Sequence, residues 1–382
     1  MVWLVLITSV LLVMYAFRIA SYKKAWDQLP SFIQKDSFAS TSVSVVIPVR
    51  NESAHLPLLF ESLRAQTYPG PLLEIIFIDD HSSDNSAQLI KDFALLMPQV
   101  LILSMSELPP IENAHKKMAL NWAIREARGE LIISTDADCF MHPDWVATIV
   151  AFHEQNGVGF IAAPVKINVH KSLVSIFQTL DFITLQGITG AAVSEGLHVM
   201  CNGANVAYEK KLFTAVNGFE GIDGIASGDD MLLMQKIANA YPEKIGYLKH
   251  PTAIVTTVPV NNWNAFFHQR IRWASKATHY KNPVIFRIML LVYFLNVCLL
   301  FVAIGALFSA TAFMFLLLFL LAKTLIEFPF VASTAIFFQQ EKLMRFFPFM
   351  QLLHIPYTVI SGWFGQFGSF DWKGRRIKTK QT

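Results

Sequence analysis

Leu131-Ile132-Ile133-Ser134-Thr135-Asp136-Ala137-Asp138 is the stretch on which the fold turns. The short apolar run Leu131 to Ser134 predicts a buried strand, and two carboxylates stand directly beyond its end. Upstream the same pattern repeats. Val43-Ser44-Val45-Val46-Ile47 is a β-branched run stopped by Pro48, and residues 54–66 follow with Leu56, Leu59, Phe60 and Leu63 on one helical face. Leu73-Glu74-Ile75-Ile76-Phe77-Ile78 reads as the next strand and ends in Asp79-Asp80-His81-Ser82-Ser83-Asp84. Residues 85–96 and 113–127 read as helices, with Val100 to Leu103 as a strand between them. Strands alternating with helices predict an α/β domain with a mostly parallel central sheet, whose ligands bind beyond the carboxyl ends of the strands. Carboxylates stand at two of those ends. Helix capping accounts for a single acidic residue such as Asp84, but not for paired aspartates after each of two strands.

The chain has 382 residues, 53% of them hydrophobic and only 15% charged, against roughly 25% charged in soluble domains. The deficit is uneven. Residues 40–280 carry mixed charges and turn residues, whereas the flanks are strongly apolar. A net charge of +3 without a continuous basic patch excludes nucleic acid as the expected partner. Cys139, Cys201 and Cys298 form no CxxC pair and no Cys/His cluster, so they read as incidental thiols in a reducing compartment.

The flanks read as membrane segments. Residues 1–22 hold a run of about 20 apolar residues, the hydrocarbon thickness of a bilayer. Arg18, Lys23 and Lys24 lie at its C-terminal end, the order of a retained anchor and not of a cleaved signal. That charge order predicts a cytoplasmic central domain. Residues 284–338 predict a helical hairpin, with an uncharged turn at Gly305 to Ala310 and basic residues at both outer ends (Lys276, Lys281, Arg287; Lys342, Arg345). Residues 346–370 contain Gln351, His354, Pro356 and Gln366 and predict a further membrane or re-entrant segment, leading to a basic tail at 371–382. Lys323 and Glu327 are four apart and predict a neutralised pair on one helix face. Residues 171–188 have near-helical apolar spacing, which suits either an interfacial helix or a core helix.

Asp136 and Asp138 stand two apart in a turn, so both can reach one hard cation. Magnesium or manganese accepts such carboxylates and keeps positions for phosphate oxygens, neutralising charge on a departing diphosphate. Lys116 and Lys117 open a predicted helix, where the dipole already favours anions. Gln269, Arg272 and Trp273 occupy positions i, i+3 and i+4, one helix face. Arginine suits phosphate and tryptophan offers a platform for a sugar or lipid; an interfacial belt ahead of a membrane helix would use the same residues.

The ordered set VSVVIPVRNE (43–52), FIDDHSSD (77–84), KKMALNWAI (116–124), GELIISTDAD (129–138), SGDD (227–230) and QRIRW (269–273) resembles family 2 glycosyltransferases of GT-A type fold. The QxxRW element with flanking membrane segments is similar to the branch that includes ceramide glucosyltransferases and cellulose and hyaluronan synthases. The resemblance implies that Pro48, Arg50 and Glu52 belong to the loop receiving the nucleotide base, that Asp80 contacts that base, and that Lys117 lies near the phosphates. It implies Asp136 and Asp138 as the nucleotide-sugar and metal aspartates, and Asp230 as general base. Asp229 stands where the family pattern usually has glutamate. Neighbouring carboxylates raise one another's proton affinity, which suits a base, while N-capping of the helix from Met231 would also use an aspartate here. The loop Cys201-Asn202-Gly203-Ala204-Asn205 matches the acceptor-side glycine loop, and the Gln269, Arg272 and Trp273 face is implied to contact the diphosphate and the acceptor.

The expected function is inverting transfer of one sugar from a nucleoside-diphosphate donor, expected to be a UDP-sugar, to a hydroxyl acceptor, with a divalent cation. A membrane lipid is the favoured acceptor and a glycan the other, at the cytoplasmic face of an inner or plasma membrane. A processive polysaccharide synthase needs an export channel, and three or four spans are poor material for one. A non-catalytic membrane scaffold is disfavoured because every motif carboxylate is present. A transporter would concentrate polar residues in the spans.

Overall fold

The computed structural model describes residues 1–35, 39–107, 115–197, 200–225, 227–276, 282–372 and 375–378, with backbone alone from Phe370 onward. Residues 113–114 of the predicted fourth-strand approach helix, Lys281, Lys373 and Lys380 lie outside the described residues. The chain divides into two compact units, one of Met1–Gln28, Val169–Ala191 and Pro259–Thr382, the other of Leu29–Asn168 and Ala192–Val258.

The first unit is helical. α1 (Val2–Gln28), α10 (Pro283–Ala306) and α11 (Ala310–Phe337) are each long and apolar enough to cross a membrane. α12 (Phe347–Phe367) is a continuous 21-residue helix with Pro356 inside it. Beyond it the basic tail forms an antiparallel hairpin, β11 (Ser369–Trp372) with β12 (Arg375–Lys378), which the sequence reading did not anticipate. α6 (Leu173–Ser194), whose last three residues are assigned to the other unit, is buried along most of its length. That settles the 171–188 alternatives in favour of a core helix. α9 (Trp263–Ala274) begins at an N-cap, Asn262, whose side chain accepts from Ala265 N. Lys323 and Glu327 do pair, at 2.6 Å, within α11, and Tyr15 of α1 and Gln351 of α12 complete the network.

The second unit is a layered α/β domain. Its seven-stranded sheet runs β3 (Val100–Ser104), β2 (Leu73–Asp79), β1 (Val43–Val49), β4 (Leu131–Ser134), β8 (Val206–Glu209), β6 (Phe160–Ala162), β9 (Ile245–Tyr247). Four of its six pairings are parallel, with β8 antiparallel to both neighbours. β1, β2 and β4 are buried on both faces, which is why their sequences read as mostly apolar runs without strict alternation. Among the described residues its α-helices are α2 (Leu56–Arg64), α3 (Ser86–Leu96), α4 (His115–Glu126), α5 (Trp145–Asn156), α7 (Lys210–Ala215) and α8 (Met231–Ala240). α2 buries Leu56, Leu59 and Leu63, and Phe60 stacks on Phe93 of α3. A smaller sheet joins β5 (Cys139–Met141), β10 (Val255–Thr257) and β7 (Val165–Ile167).

Register positions the site. Val49 lies beside Asp79, and Val46 beside Ser134. Residues 50–52, 80–84 and 135–138 therefore leave the sheet at one edge, the carboxyl edge of three adjacent parallel strands.

Candidate functional site

Two loops at that edge are laced together. Asp80 N donates to Val49 O at 2.8 Å, and Arg50 Nη1 donates to Asp80 O at 2.7 Å. Asn51 Oδ1 accepts from Ser83 N, Glu52 N donates to Ser86 Oγ, and Ser53 N donates to Asp84 Oδ2. Asn51 and His81 both hold positive φ (52° and 57°), so each turn places a non-glycine residue in the left-handed region. Donors from Ser53 and Ser86 hold the Asp84 carboxyl well below its usual range, outweighing the upward push of burial. The Glu52 carboxylate turns to His55 Nδ1 at 2.6 Å. Pro48 is the penultimate residue of β1, half-buried between these loops' anchor points.

Asp80 is 4% exposed. Its Oδ1 lies 3.1 Å from His81 Nδ1, 3.4 Å from His115 Nδ1 and 3.7 Å from Arg50 Nη1. One ligand atom from each of Asp80, His81 and His115 falls within 4.8 Å of the others, a spacing that a cation can bridge. His81 and His115 thus belong to this corner.

The first turn of α4 then sends three consecutive side chains to three places. His115 faces Asp80. Lys116 Nζ lies 2.9 Å from Asp136 Oδ1 and 3.2 Å from Asp229 Oδ2. Burial alone would depress this ammonium, but Asp136 and Asp229, then Asp230, hold it far above its usual value. Lys117, the lysine singled out from the motif, is 2% exposed and donates instead to Ile222 O and Ile225 O at 2.7 Å and to Ser227 O at 3.0 Å. It ties down the loop that delivers Asp229 and Asp230. Lys236 of α8 holds the same loop from its other side, through Gly218 O and Glu220 O. The adjacent Lys116 thus pairs with two carboxylates while Lys117 anchors loop carbonyls, an arrangement no side-chain spacing in the sequence could specify.

Asp136 is 37% exposed at its side chain, whereas Asp138 turns to β10, where Thr257 Oγ1 donates to its Oδ2 at 3.3 Å. Cys139 is buried beside both, and burial followed by the Asp138 and Asp136 charges pushes its thiol well up, so it stays protonated. Asp230 caps α8: its Oδ1 accepts from Met231 N at 2.7 Å, and its Oδ2 accepts from Gly203 N at 2.8 Å. A Cβ on Gly203 would meet Asp229 Oδ2 at 3.4 Å and Asp230 Oδ2 at 3.5 Å, so the glycine loop lies flat against both aspartates. Asn205 fixes that loop from below, donating to Pro164 O and Ala253 O at 2.7 Å and accepting from Trp145 Nε1. Tyr208 of β8 is buried nearby, and burial with the Asp229 charge keeps its hydroxyl protonated.

Asp80, Asp136, Asp138, Asp229, Asp230, Gly203, Lys116 and Lys117 are thus all parts of the second unit. Gln269, Arg272 and Trp273 are carried by α9 in the first unit. The residues of the second unit offer fixed carboxylates for a cation or a proton and a partly buried ammonium for an anion.

Comparison with known proteins agrees with this architecture. The family described as "Glycosyl transferase family 2" matches residues 44–213, and "Glycosyl transferase family group 2" matches residues 131–337. The chain is 24% identical over 281 residues to the probable glycosyltransferase YdaM of Bacillus subtilis, covering 72% of this chain and 63% of that protein. It is 33% identical over 137 residues to an undecaprenyl-phosphate 4-deoxy-4-formamido-L-arabinose transferase of Pectobacterium carotovorum, covering 35% of this chain and 41% of that one. The chain therefore spans less than two thirds of the length of these curated relatives. In fold it is similar to the mannosyltransferase PcManGT from Pyrobaculum calidifontis, solved with GDP-Man and Mn2+, with a TM-score of 0.59, 20% identity, and coverage of 95% and 97% of the two chains. With its mostly parallel sheet, its carboxyl-edge aspartates and a family match across more than half its length, the chain belongs to the family 2 glycosyltransferases, with a GT-A-like fold.

Proposed function

We propose that this enzyme moves one sugar, with inversion, from a nucleoside-diphosphate donor to a membrane lipid acceptor. The observation that carries the reading is the bridge from Asp136 through Lys116 to Asp229, beside the capped Asp230. Arg50, Glu52 and Asp80 belong to the laced loops at the adjoining strand ends, where a base would lie, and Pro48 closes the strand before them. Lys116 supplies positive charge where a diphosphate would leave. Asp230 takes the proton from the acceptor hydroxyl, and direct displacement by that hydroxyl inverts the anomeric carbon. Gly203, whose N–H donates to Asp230 Oδ2, puts the proposed acceptor-side loop against the base. A UDP-sugar remains the expected donor, and the lipid-phosphate substrate in the names of several relatives supports a lipid acceptor. Gln269, Arg272 and Trp273 take part through the resemblance of QRIRW alone.

The donor set fits a divalent cation. Asp136 and Asp138 present hard oxygens suited to magnesium or manganese, and we assign the cation to them, where it would offset charge on the diphosphate. The Asp80, His81 and His115 group is the competing set, with the borderline ligands of a softer ion. Three apolar helices support an integral membrane enzyme, and the charge order around α1 supports an inner or plasma membrane with the second unit cytoplasmic.

The test is incubation of the full chain, in native membranes, with labelled UDP- and GDP-sugars, followed by lipid extraction. Labelled lipid that disappears on chelation and returns with Mn2+ or Mg2+ is expected. Label confined to high-molecular-weight polymer would replace the single-transfer reading with a processive synthase. Loss of metal response in His81→Ala, but not in Asp138→Ala, would move the cation to Asp80.

A further inference from the structure

α9 carries a fourth polar residue, Arg270, inside the Gln269–Trp273 element, and it touches the ends of the face on either side of it. Arg270 is 3% exposed. Its Nη1 donates to Gln269 Oε1 at 3.1 Å, and its Cζ sits 4.2 Å from the centroid of the Trp273 ring. Its Nη2 forms an ion pair with Asp181 of α6 at 2.7 Å. Tyr357 of α12 donates to the other oxygen, Asp181 Oδ1, at 2.9 Å. The rings around this chain of contacts are close-packed: Tyr357 lies 5.4 Å from Phe266 and 5.5 Å from Phe177, and Phe182 lies 6.0 Å from Trp273. All of these residues belong to the first unit.

A guanidinium has a rigid planar fork, so fixing one end against Asp181 fixes the plane that supports Trp273 and the nitrogen that faces Gln269. A lysine could keep the ion pair, but its point charge lacks the planar fork that holds all three contacts at once. α12 adds a second restraint. A Cβ on Gly365 would meet Ala274 Cβ at 2.6 Å, and Gln366 Nε2 donates to Ala274 O at 2.9 Å, so α12 is seated on the C-terminal end of α9. The segment that the sequence left as a membrane or re-entrant piece therefore backs the motif helix.

We infer that Arg270, held by Asp181 and Tyr357, is a positioning residue that sets the side-chain orientations of Gln269 and Trp273 for sugar transfer. This rests on the reading that the Gln269–Trp273 face acts in transfer. Misplacement of a catalytic group by about 1 Å can cost roughly 100-fold in rate, so the effect is readable.

The experiment compares Arg270→Lys, Tyr357→Phe, Gln269→Ala and Trp273→Phe in the full chain, measuring turnover of UDP-glucose, UDP-N-acetylglucosamine and GDP-mannose together with thermal unfolding. Tyr357→Phe keeps the ring in its cluster and removes only the hydroxyl, so it serves if Arg270→Lys does not fold. The expected result for both is a fall in kcat, about 100-fold for Arg270→Lys, with donor KM unchanged and the protein still folded at the assay temperature. That fall should vanish when Arg270→Lys is made in a Gln269→Ala/Trp273→Phe background, because nothing remains to be positioned. Wild-type kcat in Arg270→Lys and Tyr357→Phe, with Gln269→Ala and Trp273→Phe impaired, overturns the positioning role and leaves the motif reading standing. Wild-type kcat in all four overturns both. A loss that persists undiminished in the double background and tracks a lowered unfolding temperature makes Arg270 a structural ion pair only, and likewise overturns the inference.

Discussion

Lys116 Nζ lies 2.9 Å from Asp136 Oδ1, joining the first turn of α4 to the loop beyond β4. The same ammonium reaches Asp229, so one cation holds the edge aspartate and the aspartate beside the proposed base. A partly buried positive charge facing two carboxylates marks where an anion and its counter-cation would exchange partners on donor binding.

Exchanging the two neighbouring lysines for methionine should give opposite signatures. Lys116→Met removes the charge at the phosphate position, and turnover should fall about 100-fold, or ~2.7 kcal/mol of barrier, with folding kept. Lys117→Met strands three loop carbonyls, each worth about 1–3 kcal/mol when buried without a donor, so thermal unfolding should shift first. An Lys117→Met protein with normal stability and no activity would return the phosphate role to Lys117.

Asp230 both caps α8 and is the proposed base, and the two roles separate by substitution. Asparagine caps about as well as aspartate but cannot take a proton at neutral pH. Asp230→Asn should unfold like the wild type and lose at least about 1000-fold in turnover, whereas Asp230→Ala should lose activity and about 1 kcal/mol of stability. Residual turnover of Asp230→Asn near the wild-type rate would remove the residue from proton transfer.

The strands ending at Asp79 and Ser134, and the helix from Met231, were legible because burial on both faces writes itself as an apolar run and an aspartate marks the cap. The partners of the site residues were not. Whether Lys116 or Lys117 faces the carboxylates depends on how α4 is rotated over the sheet, and adjacent residues on a helix differ by about 100° in direction. β5, β7 and β10 are three residues each, too short for any period to show. The division that places QRIRW in a different unit from the aspartates arises from chain crossings at Val169 and Pro259, which carry no local signal.

Acid should loosen the second unit through two carboxylates held below their usual range. Asp84 accepts from Ser53 and Ser86, and Glu154 accepts from Ser40 and Thr41. A folded-state value below the unfolded one contributes stability that is present above about pH 4 and is lost as pH falls through the folded value. The unfolding temperature should therefore hold between neutrality and about pH 5 and drop below about pH 4. Asp84→Asn and Glu154→Gln should each start lower and fall less steeply over that acid range. An unchanged slope in both would assign the acid sensitivity to other groups.

The Lys323–Glu327 pair lets the helical unit be tested independently of catalysis. Glu327 also accepts from Tyr15 and Gln351, at 2.5 Å each, while Lys323 has Gln351 Oε1 at 2.6 Å beside its pairing with Glu327. Removing the lysine thus leaves a carboxylate with two neutral donors, and removing the glutamate leaves an ammonium with one amide oxygen and no counter-charge among these partners. Breaking a buried pair costs about 3–5 kcal/mol, and replacing both members by apolar residues is often neutral. Glu327→Leu should be the most destabilised in detergent, Lys323→Met less so, and the double variant closest to the wild type. Because α1, α11 and α12 all contribute to the network, the ranking reads out whether these helices pack as one body around it. Equal losses in the two single variants, with no recovery in the double, would mean that the charges are solvated by water or lipid headgroups and do not hold the helices together.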